Sequence, residues 1–341
     1  MTIWKALIRG SLRACVCAFV AGSATAALAQ DKVTFTASTL SLFNMPVYVA
    51  DVMGHFTEQK IAPEITVLKT GGSTALAAVL GGNANVYIGA PSSALSAASR
   101  GVEAVVIGSV LNEVSIDLVM RKEVAEQAGL TDRTPVADRF RALKGKKIGV
   151  TGSGSGSHQV VQYALRSVGL DPERDTTIVF VGGLEELRAA LPRLDATVSA
   201  SPLTEDFVRS GAYLMASGPG GSYEALKGMP TVVLVATKRW ASAVPERTTR
   251  LLAAIASAQR DIHDRQARIK ARDLVYAKYF PQLEKALYDA AWETITPAIP
   301  TDPAMPADAL RRSIDFLREF SDQKYSVDPD KVYTNAYLPK S

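Results

Sequence analysis

Apolar and polar positions along the chain alternate between two periods. Compact apolar runs of about four to eight residues have the length of buried strands. They predict strands at Val33–Ala37, Ile65–Lys69, Val86–Gly89, Val105–Val110, Asp117–Arg121, Lys147–Val150, Thr177–Val181, Ala196–Ala200 and Thr231–Thr237. Between them, apolar residues recur every three or four positions, the spacing of a helix buried on one face. These stretches predict helices at Pro46–Gln59, Thr74–Leu80, Ser93–Arg100, Ser157–Val168, Glu185–Leu191 and Thr204–Ser210. From Pro245 the pattern turns to long helices, Pro245–Phe280 with at least one break, Gln282–Thr296 and Ala307–Gln323, before an irregular end. Strand and helix in alternation imply an α/β fold with mixed, mostly parallel sheets.

The pattern also repeats. Gly71-Gly72 is answered by Gly182-Gly183, Leu76 by Leu187, Leu80 by Leu191 and Pro91 by Pro202, at an offset of about 111 residues. In each copy a strand ends in paired glycines, and a short helix, a strand, a small-residue turn with proline and a second helix follow. Two such units predict two lobes. Open α/β sheets bind ligands beyond the carboxyl ends of their strands, so two facing lobes would share one cleft lined by their small polar loops.

Composition sharpens this. The 341 residues are 47% hydrophobic and 21% charged, too apolar for a disordered chain. The net charge of +4 owes three of its cations to Lys5, Arg9 and Arg13, ahead of any acid. The rest is nearly neutral and offers no basic face for nucleic acid. Those cations precede an apolar run, Ala14 to Ala29, that closes on Ala27-Leu28-Ala29, the order of a cleaved secretory signal over residues 1–29. Both cysteines, Cys15 and Cys17, fall inside it, so the mature chain would lack disulfides and thiol chemistry. No later segment is long and apolar enough to span a bilayer.

The sharpest local motif is Lys147–Leu165, KIGVTGSGSGSHQVVQYAL, a strand running through a glycine-serine loop into a helix capped near Ser155 or Ser157. Free amides and the positive end of the helix dipole make such a start an anion site. Its glycines at 152, 154 and 156 miss the dinucleotide spacing, no phosphate-loop lysine follows, and Gly154 fills the serine slot of a nucleophile elbow. His158, at the helix start, is expected to be neutral and to meet a ligand. Asn44 and Pro46 mark another helix start, with Asn44 as cap and Ser41 and Phe43 beside it. Ser92, Ser93 and Ser201 flank the paired prolines. Three histidines without carboxylates in register predict no metal site, and His55 reads as a surface residue at a helix end.

Several stretches carry a family resemblance. ADVMGHFTEQKIAPEI (Ala50–Ile65), GGSTALAAVLGGNANVYIGAP (Gly71–Pro91), LKGKKIGV with its GSGSGSH loop (Leu143–His158), GLDPERDTTIVFVGG (Gly169–Gly183) and LDATVSASP (Leu194–Pro202) occur in order behind the signal. In these the chain resembles the exported solute-binding proteins of nitrate/sulfonate/taurine-type ABC transporters, a family sharing a domain with a thiamine-pyrimidine synthase. It departs at Pro192-Arg193-Leu194, Asn85 and His55. The synthase branch needs cysteines, which the mature chain lacks.

The resemblance implies a two-lobed periplasmic binding protein of type II with a ligand cleft between lobes. It places lobe I at residues 30–114 plus 237–341, lobe II at 115–236, and the crossings near Glu113–Asp117 and Val235–Lys238. The loops matching Ser38–Asn44, Gly72–Thr74, Ser92–Ser93, Ser153–His158 and Ser199–Pro202 would line the cleft. Residues and resemblance together nominate Ser41, Phe43, Asn44, Ser73, Thr74, Ser92, Ser93, Ser153, Ser155, Ser157, His158 and Ser201 for ligand binding. The expected function is capture of a small organic anion, sulfonate- or carboxylate-like, and its delivery to the membrane permease of an ABC transporter. The expected protein is a periplasmic monomer without enzymatic activity or cofactor. The competing readings are a neutral heteroaromatic ligand stacked on Phe43 or Tyr48, an exported serine hydrolase working near His158, and a sensory or adhesive module.

Overall fold

In a computed structural model that describes residues 30–68, 72–306, 308–320 and 325–340, the alternating pattern folds into two five-stranded sheets. The expected signal at residues 1–29 lies outside the described residues, as do Lys69, which ends an expected strand, Thr70, and Gly71 of the first glycine pair. The strands are β1 (Asp31–Ala37), β2 (Ile61–Val67), β3 (Val86–Gly89), β4 (Ala104–Leu111), β5 (Ile116–Met120), β6 (Lys147–Val150), β7 (Thr177–Phe180), β8 (Ala196–Ala200), β9 (Tyr213–Ala216) and β10 (Val232–Thr237). The helices of the first half are α1 (Met45–Val52), α2 (His55–Glu58), α3 (Gly72–Leu80), α4 (Pro91–Ser99), α5 (Lys122–Gln127), α6 (Val136–Arg141) and α7 (Gly156–Arg166). Those of the second are α8 (Leu184–Ala190), α9 (Leu203–Arg209), α10 (Lys238–Ala243), α11 (Pro245–His263), α12 (Ala267–Tyr279), α13 (Lys285–Ile295) and α14 (Ala309–Phe320).

The first sheet has the order β2-β1-β3-β10-β4 and the second β7-β6-β8-β5-β9. In each, three parallel strands are followed by an antiparallel strand that arrives from the other sheet, β10 in the first and β5 in the second. Because β10 hydrogen-bonds to β3 and β4, the second crossing precedes Val232 and does not fall within Val235–Lys238. Residues 232–236 belong with the first sheet, outside the expected lobe II. The terminal stretch is not confined to the first lobe either, since α14 packs on both α4 and α7.

Period-two alternation distributes side chains between two cores. Along β10, Leu234 enters a core with α1, α11, α12 and α13 that buries Tyr48, Tyr288 and Trp292. Its neighbours Val233 and Val235 enter the other core, which runs on through the second sheet to Tyr163, Tyr223 and Phe316. Helix α14 joins that core by helical spacing: Leu310, Ser313, Ile314 and Leu317 are buried, while Arg311, Arg312, Asp315 and Arg318 face solvent. His55 is not a surface residue. Its ring is mostly buried, with Nε2 2.7 Å from the Asp261 carboxylate, and ties α2 to α11.

Candidate functional site

The site is built where strands end and helices begin. After β3, Ala90 is extended and Pro91 opens α4, whose first turn carries Ser92. Proline fits there because its missing N–H has no partner to lose. No side chain caps this start. The Tyr87 ring folds over Gly89, where a Cβ would overlap it, and the Tyr87 hydroxyl reaches Ser93. A glycine is needed at 89 to let that ring close the wall.

In the second sheet β6 runs into the glycine-serine loop, and Gly154 takes a left-handed φ of 68° to turn the chain. Ser155 then caps α7, accepting from the His158 amide at 3.2 Å. Its hydroxyl donates to the Gly152 carbonyl at 2.7 Å and lies 2.9 Å from Ser157 Oγ. Ser157 Oγ in turn accepts from the Thr151 amide at 3.0 Å. The loop is a closed net of hydroxyls, not a flexible linker.

These two helix starts meet. A Cβ added at Gly156 would lie 3.7 Å from Ala90 Cβ and 3.5 Å from Ile116, so α7 opens within van der Waals reach of the residue preceding α4. Between them is a cavity of about 160 Å³ lined from both sheets and from α14. A dry cavity of about 150 Å³ admits benzene, so this one has room for a small organic solute. One end is polar, with Ser92, Ser93, Thr151, Ser155, Ser157 and Ser199. The remaining lining is mostly apolar, with Phe43, Val160, Leu226, Met229, Phe316 and Leu317, and with Ser313 on the same helix as the last two. No charged side chain lines it among the described residues.

Two hydroxyls at the polar end, Ser92 Oγ and Ser199 Oγ, are fully buried and have no hydrogen-bond partner. An unpaired buried hydroxyl costs about 1–3 kcal/mol, which a solute in the cavity would recover. First-turn amides have no acceptor within their own helix, and both helix dipoles present their positive ends. The arrangement therefore favours an acceptor-rich head group without a cation.

Behind this end sits Asp117, opposite Ser199 in the β5–β8 register and almost fully buried. Burial pushes its carboxyl up to about 7, although the Gly218 amide donates to it at 3.0 Å. The nearby Glu205 is also raised, chiefly by burial, while its Oε1 accepts from Ser201 at 2.7 Å.

Six of the twelve nominated residues line the cavity: Phe43, Asn44, Ser92, Ser93, Ser155 and Ser157. Asn44 holds the cap position of α1, but its side chain makes no capping bond. Its amide donates to the Thr39 carbonyl and the Tyr48 hydroxyl, each at 3.1 Å, while Ser41 caps the short turn Leu42–Asn44. Ser41 and Ser201 lie beside the cavity and bind each other, Ser41 Oγ donating to the Ser201 carbonyl at 3.3 Å. That bond joins the two lobes. Ser73, Thr74 and Ser153 face solvent, because each sits one or two residues beyond the turn that approaches the cavity. His158 does not line the cavity. Its Nδ1 accepts from the Gly154 amide at 3.0 Å and its ring stands edge-on to Phe180. Tyr48, the alternative stacking platform, is buried against Tyr279 in the other core. Sequence reasoning expected α14 as a helix but nominated neither its residues nor Met229 and Leu226 for the site. Their apolar character reads as core, and only the amphipathic spacing of α14 marked it as having a buried face.

Among the described residues no cluster of three metal-binding side chains occurs, and no helix is long and apolar enough to cross a membrane. The chain matches the model of the NMT1-like family over residues 32–275. Comparison with curated protein sequences finds no match. A solved protein from Bordetella bronchiseptica RB50 is similar with TM-score 0.77 and 26% identity, covering 90% of this chain and 96% of that one. The alkanesulfonate-binding protein SsuA from Xanthomonas axonopodis pv. citri, bound to MOPS, has TM-score 0.63 and 18% identity, with 86% and 95% covered. The periplasmic nitrate-binding protein NrtA from Synechocystis PCC 6803 has TM-score 0.69 and 13% identity, with 91% and 87% covered. The fold is that of periplasmic binding proteins, two α/β lobes around a cleft.

Proposed function

The chain belongs to the NMT1-like family, and on that premise we propose that it is the exported solute-binding component of an ABC importer, holding a small organic anion, sulfonate- or carboxylate-like, for a membrane permease. One observation carries the ligand class. The starts of α4 and α7 meet across one cavity with Ser92 Oγ and Ser199 Oγ buried and unpartnered at its polar end. Hydrogen bonds to a charged group each contribute roughly 1.5–3 kcal/mol, and a helix dipole adds about 0.3–1. Three or four such contacts approach the roughly 8 kcal/mol of micromolar binding. Sulfonate- and nitrate-binding proteins among its structural relatives agree with this class.

Binding does the work without chemistry. A solute touching both lobes favours the conformer in which they are joined, through Ser41 to Ser201 and through the Arg209–Glu284 ion pair. Export rests on the basic, apolar and Ala-x-Ala order of residues 1–29. The hydrolase reading lacks support at the cavity, since His158 does not line it.

The test is thermal unfolding with sulfonates, nitrate, carboxylates, pyrimidines and flavins. A solute that binds only the folded chain raises the melting temperature with the logarithm of its concentration. Sulfonates or carboxylates are expected to do so. If only uncharged rings do, the anion assignment is wrong and the second reading, a neutral heteroaromatic ligand, takes its place. That reading is favoured by the absence of cations among the described lining residues and by the aromatic faces of Phe43 and Phe316.

A further inference from the structure

A second pocket, of about 380 Å³, lies between the crossing segment and α14, and it shares Met229 and Phe316 with the first cavity. The two side chains are thus a partition one residue thick. On the inner side no described lining residue is charged; on the outer side Glu224, Lys227, Arg312 and Glu319 border an open pocket. We infer that Met229 and Phe316 set the length of solute that the cavity accepts, and that the site takes anions with an extended apolar tail directed at this partition. The inference rests on the anion reading above and deepens it.

The two halves of the partition differ in freedom. Phe316 is fixed in an aromatic group, 5.7 Å from the Tyr163 ring and 5.2 Å from that of Phe320. The backbone around Met229 is pinned as well: the Gly228 amide donates to Glu113 at 2.9 Å, and Arg312 donates to the Lys227 carbonyl at 2.9 Å. The Met229 side chain is unbranched and rotates about three bonds, the property that lets methionine fill irregular gaps. Elsewhere the cavity is bounded by strand ends, helix starts and side chains seated on helices, such as Val160 on α7 and Leu317 on α14. The apolar end therefore has one adjustable wall, and it opens toward space instead of packed core. A tail lengthened by one methylene gains burial until it meets Met229, and then must displace it.

Isothermal titration of the full chain with n-alkanesulfonates from ethane- to octanesulfonate, and in parallel with n-alkanols of the same lengths, reads this directly. Wild-type affinity for sulfonates is expected to rise about fourfold per methylene to a limiting length and then fall. In Met229→Ala the limit moves outward by about two methylenes, into the space three deleted side-chain atoms leave. Met229→Val, a milder truncation that is easier to fold, moves it less. Glu224→Gln, which borders only the outer pocket, leaves it in place. An unchanged limit in both Met229 variants, or a rise with no limit in the wild type, overturns the inference. Alkanols binding where sulfonates fail would remove the anion reading, and a limit that still moves with Met229 would keep the partition. Failure of both series to bind overturns both.

Discussion

The two lobes share a strand order but cover it differently. The first sheet is backed by α1, α11, α12 and α13, with Trp292, Tyr288 and Tyr48 fully buried between them. The second has shorter helices around it, an edge strand β7 that is largely exposed, and Phe180 half in solvent. The helix starts differ in the same sense. Helix α4 opens on proline with Ser92 unpartnered, whereas α7 opens on a net of serines already bonded to one another. One topology used twice thus yields a heavily buttressed lobe with a bare helix start and a lighter lobe with a prearranged hydroxyl cluster.

The largest expected effect breaks the join between them. In Gly218→Ala the new Cβ would overlap the Val114 carbonyl at the first crossing. Overpacking against backbone that cannot move costs about 1–3 kcal/mol or more, and denaturant unfolding should show a loss at the top of that range. Next come the two unpartnered hydroxyls. Ser92→Ala and Ser199→Ala should each weaken ligand binding about tenfold or more, the worth of one hydrogen bond to a charged group, while leaving the melting temperature of the free protein level or raised. If only one of them weakens binding, the ligand is held by one lobe.

The second lobe should also carry a pH dependence at Asp117. Asp117 is raised to about 7 by burial, above its unfolded value of about 3.9. Between those values the folded chain holds a proton that the unfolded chain has released, so this group's contribution to stability declines as pH rises from about 4 through 7. Asp117→Asn keeps an acceptor for the Gly218 amide and should flatten that decline in melting temperature, raising it at pH 8 and leaving it nearly unchanged near pH 4. The smallest effect is expected at the clasp. Ser41→Ala removes the bond to Ser201 and the cap on the Phe43 amide, neutral bonds of about 0.5–1.5 kcal/mol each, and should enlarge the ligand-free particle in small-angle scattering with a modest fall in melting temperature.

Much of this was legible because strands and helices alternate with clear periods. Strands β3, β6 and β8 were expected with the bounds they have, and their flanking glycines and prolines announced the starts of α4 and α7. The expected helix Pro46–Gln59 is instead α1 and α2, parted by Gly54 at a φ of 85°, a backbone that only glycine takes easily. Strand β2 begins earlier than expected because Pro63 weakens its pattern, and as an edge strand it tolerates that proline. Helices α5 and α6, of six residues each, are too short for a period to show. At the site, hydroxyls near helix starts were readable, but whether they turn to a cavity or to one another was not. Ser41 and Ser201 meet across 160 residues of sequence, a partnership that no local spacing encodes. Met229 and Phe316 come from the crossing and the terminal helix, and an apolar residue facing a cavity has the same sequence signature as one facing packed core.

The central claim is that one solute is gripped jointly by the two lobes, by Ser92 at the start of α4 and by Ser199 near the end of β8. A double-mutant cycle on ligand affinity, using Ser92→Ala, Ser199→Ala and the pair in titrations with the tightest-binding sulfonate or carboxylate, tests it most directly. The account predicts one bound solute per chain, a loss of about tenfold or more in each single variant, and a larger loss in the pair. Wild-type affinity in both single variants would contradict it.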